Sequence, residues 1–100
     1  MNTDVQGNTF SVSVDSDITT VTVPDIRDKI LEGLSGDITE VKLDLSKVEM
    51  VDSTGISLLI SIQNTLKKKS GSLTLTNASD DISHMFKLMR LDKFFTVEPR

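Results

Sequence analysis

From Thr9 to Val14 the chain alternates, with Phe10, Val12 and Val14 apolar and Thr9, Ser11 and Ser13 polar. A period of two sends one set to a core and the other to solvent, which predicts a half-buried strand. Asp15-Ser16-Asp17 is a turn signal. Ile18, Val21 and Val23 lie in a β-branched run, "ITTVTV", that predicts a second short strand ended by Pro24. Ile26, Ile30, Leu31 and Leu34 then recur at helical spacing. Pro24 suits a first helical turn, and Asp25 and Asp28 place negative charge at the positive end of the helix dipole. A helix over 24–35 follows, closed by Ser35 and Gly36.

Val41, Leu43 and Leu45 restore the alternation and predict a third strand. From Gly55 to Lys69 the pattern is helical, with Ile56, Leu59, Ile60, Ile62 and Leu66 forming a stripe wide enough to lie on a sheet. Leu73 and Leu75 mark a fourth strand. Asn77 to Asp80 have helix-capping chemistry, and Ile82, Met85, Phe86 and Met89 predict a third helix. "FFTVE" is a short edge strand ended by Pro99. The order is β-β-α-β-α-β-α with a terminal β. Such alternation predicts an α/β domain with right-handed parallel crossovers. The first two strands, close in sequence, are expected to pair antiparallel. The expected architecture is a mixed four- to five-stranded sheet packed by three or more helices, in one domain over 1–100. No repeat or linker interrupts it.

Composition narrows the function. The chain has no cysteine, so disulfides and cysteine-rich zinc sites are excluded. Net charge is −4, which argues against nucleic acid, whose phosphates demand a basic face. The one basic cluster, Lys67 to Lys69, reads as a helix C-terminus facing the dipole's negative end, with Gly71 as the stop; a partner-binding patch is the alternative. No apolar run approaches the roughly 18 residues of a membrane span, and "MNTDVQGNTF" lacks the charge and apolar core of a secretory signal. A cytoplasmic protein is expected.

The chemistry concentrates in "VDSTG", residues 51–55, at the start of the second helix. Asp52, Ser53 or Thr54 can each cap that helix, and Gly55 lets the backbone turn sharply or another surface come close. Capping alone needs one such residue, and three stand in a row. A serine at a helix N-terminus also suits a phosphoryl group, whose charge the helix end stabilises. Catalytic readings fit poorly. A retroviral-type aspartic protease needs Asp-Ser/Thr-Gly and an almost all-strand fold; here one residue too many precedes the glycine and helices are prominent. His84 is the only histidine, read as a surface or flank residue of the third helix, and there is no Gly-x-Ser-x-Gly elbow. A P-loop is absent. Asp44 and Asp52 at strand ends invite comparison with a phospho-receiver domain, but the opening pair of strands breaks its βα repeat. No catalytic residue, metal site or cofactor is expected.

"LDLSKVEMVDSTGISLLI", residues 43–60, resembles the STAS domain of bacterial anti-sigma factor antagonists: an apolar strand ending in Asp-Leu, a short loop, then Asp-Ser-[Ser/Thr]-Gly opening a helix. "LTLTNASDDISHMFKLMRLDKFF" resembles that family's C-terminal strand, turn and helix. The resemblance implies a protein switch that is not an enzyme. Ser53 occupies the position phosphorylated by a partner serine-protein kinase, which doubles as the anti-sigma factor and has a histidine-kinase-type ATPase fold; Thr54 is the second candidate. The unphosphorylated form binds that partner and frees a sigma factor, phosphorylation blocks binding, and a PP2C-type phosphatase resets the switch. The implied partner surface comprises Asp17, Thr19, Asp52, Ser53, Thr54, Gly55 and Ser57, on a monomer or weak homodimer. The family's Gly-x-φ-Asp turn after the first strand is here "SDIT", with Ser16 for the glycine and Thr19 for the aspartate. The alternative is a constitutive interaction subunit of a chemotaxis or sensor-kinase pathway, a stressosome or a lipid-transport ATPase, without phospho-control.

Overall fold

The computed structural model describes all 100 residues. Nine elements follow one another: β1 (Asn2–Gln6), β2 (Thr9–Ser13), α1 (Val23–Gly33), β3 (Glu40–Asp44), α2 (Ser53–Lys67), β4 (Ser72–Ala78), α3 (Asp80–Leu88), a 3-10 turn (Leu91–Lys93) and β5 (Thr96–Pro99). The strands form one sheet in the order β1-β2-β3-β4-β5, with β1 antiparallel to β2 and every other neighbouring pair parallel. This is the expected mixed sheet and element order.

The alternation seen in the sequence becomes two apolar rows across the sheet. Phe10, Val41 and Leu73 are in register, as are Val12, Leu43 and Leu75, and all six are buried. Val23, Ile26 and Ile30 of α1 join the same core, as do Leu58, Leu59, Ile62 and Leu66 of α2. α3 contributes Ile82 and Phe86, the latter meeting Phe95 edge to face at 5.6 Å between ring centres. β5 lies at the sheet edge, as its short length and Pro99 predicted.

Three expectations need correction. The segment 18–23 is not a strand. Ile18 makes a single bridge to Val51, Thr19 to Thr22 form a turn, and Val23 opens α1. One threonine hydroxyl outcompetes the ladder here: Thr22 Oγ1 accepts from the Thr19 N–H at 2.9 Å and donates to the Asp17 carbonyl. The antiparallel partner of β2 is instead β1, whose five residues are all exposed. A two-residue hairpin turn joins them, with Gly7 in the left-handed region at φ 61°. At the end of α2, Ser70 and not Gly71 takes positive φ. Gly71 serves close approach, because a side-chain carbon there would overlap the Thr39 carbonyl. Lys69 is likewise committed internally, donating to the Leu34 and Ile38 carbonyls.

Candidate functional site

Two loops at one end of the sheet meet at the start of α2. The Ile18 N–H donates to the Met50 carbonyl at 3.0 Å, and the Asp52 N–H donates to the Ile18 carbonyl at 3.1 Å. This short zipper presses the first turn of α2 against Ile18. A β-carbon on Gly55 would overlap the Ile18 carbonyl oxygen and crowd Val51, so only glycine fits. Gly55 is buried, and close approach is the use it serves.

Asp52 is the N-cap. It is extended, and its Oδ1 accepts the Gly55 N–H at 2.9 Å. Its Oδ2 accepts the N–H of Thr20 at 2.9 Å and the Thr20 hydroxyl at 3.1 Å. The Gly55 N–H, then the Thr20 N–H, hold the Asp52 carboxyl below the usual carboxylate range, against an opposing push from desolvation. Thr20 Oγ1 also lies 3.0 Å from Thr54 Oγ1.

Ser53 stands between these groups and differs from both. It is exposed at the first helical position, and its hydroxyl makes no hydrogen bond within the chain. Ser57 is exposed one helical turn further on the same face. Asp17 and Thr19 are half-buried and engaged internally. Asp17 Oδ1 accepts from the N–H groups of Glu49 and Met50 at 2.9 and 3.2 Å, and the Thr19 N–H donates to Thr22. The structure therefore brings Asp52, Ser53, Thr54 and Gly55 to one corner. It leaves Asp17 and Thr19 as the ties that hold the loops beneath.

Two residues of this neighbourhood escaped the sequence reading. Thr20 lies 32 positions from Asp52 in the chain, and nothing local distinguishes it from Thr19 or Thr22. Arg100 donates through Nη2 to the carbonyls of Leu45, Ser46 and Val48 and through Nε to that of Asn77, bracing the loop that leads into the motif. At the end of β3, Asp44 accepts from the Asn77 amide at 3.0 Å and the Ser46 N–H at 2.9 Å, and these lower its pKa, the Asn77 bond foremost. The largest cleft, about 570 Å³, lies elsewhere, between α3 and β5; His84 and Lys87 line it and no motif residue does. No helix is long and apolar enough to cross a membrane.

Fold and corner together place one hydroxyl without an internal hydrogen bond at a helix start. A family model of the STAS domain matches residues 1–100, and the chain belongs to that family. It is 26% identical over 102 residues to the anti-sigma-B factor antagonist of Bacillus subtilis (strain 168), covering all of this chain and 93% of that protein. An anti-sigma factor antagonist from Mycobacterium paratuberculosis superposes with a TM-score of 0.83 at 26% identity, over 99% of this chain and 84% of that one. The Bacillus cell fate determinant SpoIIAA in its phosphorylated form gives 0.73 at 20% identity, over 96% of this chain and 88% of that one.

Proposed function

We propose that this protein is a phosphorylation-controlled antagonist of an anti-sigma factor, acting in the cytoplasm. The unphosphorylated form binds a serine-protein kinase of the histidine-kinase-type ATPase fold and releases its sigma factor. Phosphorylation of Ser53 blocks that binding, and a PP2C-type phosphatase reverses it. The observation that carries the reading is the free Ser53 hydroxyl, exposed at a corner where the neighbouring polar side chains are engaged. The likeness to anti-sigma factor antagonists supports it.

The physics favours a switch at the interface over one inside the fold. A phosphoserine adds about −1.5 to −2 charges at neutral pH. The helix start would ordinarily welcome such an anion. Here Asp52 already takes the Gly55 N–H and adds its own negative charge. The phosphate therefore projects outward beside a carboxylate, and its cost falls on a docked partner. A penalty of about 3 kcal/mol lowers affinity more than a hundredfold. Ser53 is exposed and its hydroxyl bonds nothing within the chain, so the fold persists.

Intact mass spectrometry after incubation with Mg-ATP and lysate of the source cells tests the reading. One phosphate is expected on the wild-type protein and none on Ser53→Ala. Ser53→Asp should weaken capture of the kinase with an unchanged circular dichroism spectrum. A stoichiometric phosphate on Thr54 in Ser53→Ala overturns the residue assignment. A protein never modified at either residue is instead a constitutive interaction subunit.

A further inference from the structure

The corner contains two hydroxyls side by side, and their surroundings are unequal. We infer that Thr20 selects between them: by holding Thr54 in a side-chain chain that ends on Asp52, it leaves Ser53 as the phosphate acceptor. The inference rests on the switch reading above and adds to it the device that makes the switch single-site.

The direction of the chain follows from proton counting. The Asp52 carboxylate only accepts, so the Thr20 hydroxyl donates its single proton to Oδ2, 3.1 Å away. That proton is then spent. The 3.0 Å contact between Thr20 Oγ1 and Thr54 Oγ1 must use the proton of Thr54. The order is Thr54 to Thr20 to Asp52, anchored by a charged acceptor that also takes the Thr20 N–H at 2.9 Å. Thr54 is β-branched, with a restricted χ1 on a helix, and this bond further favours one rotamer, with Oγ1 turned toward Thr20. Thr54 is also half-buried, whereas Ser53 is exposed and its rotamer is free.

Phosphoryl transfer needs the hydroxyl oxygen in line with the γ-phosphorus of a nucleoside triphosphate held by the kinase. The Oγ–P bond forms, the bond from phosphorus to the bridging β,γ-oxygen breaks, the nucleoside diphosphate departs with that electron pair, and the hydroxyl proton passes to a base of the kinase. Ser53 reaches this arrangement by rotating freely. Thr54 must first give up its bond to Thr20 and leave its rotamer. The Asp52 carboxylate, already satisfied by several donors, is a poor proton acceptor and does not activate Thr54 through the chain.

Thr20→Val keeps the shape and the backbone N–H and replaces the hydroxyl by a methyl; Thr20→Ser restores a hydroxyl. Each variant, and the wild type, is incubated with Mg-ATP and source-cell lysate, and the phosphate is located by tandem mass spectrometry. The Thr54 rotamer is read separately, without kinase, from three-bond couplings to its Cγ2. Thr20→Val should raise the Thr54 share of the phosphate about threefold to tenfold, the ratio one ordinary hydrogen bond is worth. It should also average the Thr54 couplings, and Thr20→Ser should return both to wild type. A Thr54 share unchanged in Thr20→Val, with the wild-type phosphate on Ser53, overturns the selection and leaves the switch standing. Couplings that still report one rotamer in Thr20→Val overturn it as well. A wild-type phosphate on Thr54 overturns the selection and the Ser53 assignment, and none on either residue overturns both the selection and the switch.

Discussion

Two helices of this molecule begin with the same kinds of residue in a different phase. α2 opens with Asp52-Ser53-Thr54 and α3 with Ser79-Asp80-Asp81. At α3 the serine is the cap: its hydroxyl accepts the Ile82 N–H at 3.2 Å, and the side chain is buried. Two exposed carboxylates follow, where they face the helix dipole. At α2 the acid is the cap and the hydroxyls follow it. The third helical position differs too, buried Ile82 in α3 and Gly55 in α2. Ile82 plugs α3 into the core. Gly55 lets the Ile18 loop lie directly on α2, and that contact brings Thr20 to Asp52. An exchange of acid and hydroxyl at the cap thus separates a helix start consumed by structure from one that leaves a hydroxyl for chemistry.

The comparison can be broken position by position. Ile82→Ala should cost about 2–5 kcal/mol of unfolding free energy, as large-to-small core changes do, measured by urea denaturation. Gly55→Ala should cost about 1–3 kcal/mol by overpacking against a backbone that has little room to retreat. If it proves neutral, the close contact of loop and helix is not as drawn. Ser79→Ala should cost about 1 kcal/mol, the usual loss of an N-cap, at every pH, because a hydroxyl cap does not titrate.

The Asp52 cap does titrate, and this sharpens the contrast. Its folded carboxyl is held below the ordinary value, so its contribution is fully present above the unfolded pKa of about 3.9 and is lost as pH falls through the folded one. Asp52→Asn should lower stability at neutral pH and flatten the acid limb of a denaturation series; the slope that remains comes in part from Asp44, whose pKa is lowered in the same direction. An unchanged acid limb would show that folding does not lower the pKa of the cap. The smallest effect belongs to Ser53→Ala, within about 0.5 kcal/mol of wild type, as for an exposed side chain without partners. A larger loss would mean that Ser53 is structural after all.

Residues 9–14, 41–45 and 73–75 were readable because each buries one face only, and a period of two records that directly. The helices were readable for the same reason at their own period. β1 was not: it buries nothing, so Asn2-Thr3-Asp4-Val5-Gln6 carries no alternation, and only its hydrogen-bond ladder to β2 makes it a strand. The segment 18–23 misled because β-branched residues suit a strand, while the Thr22 hydroxyl among them bonds the backbone of Asp17 and Thr19 into a turn. At the site, Asp-Ser-Thr-Gly before a helical stripe marked the right corner. It did not say which residue caps, because all three polar types are good caps.

Local order in the chain was thus sufficient for β2 to β5, for the three helices and for the position of the motif, since these depend on which side of a strand or helix meets water. The assignment of cap, free hydroxyl and bonded hydroxyl was decided in three dimensions. It turns on Ile18 lying against Gly55 and on Thr20 reaching Asp52, and contacts between such distant positions leave no periodic trace in a sequence.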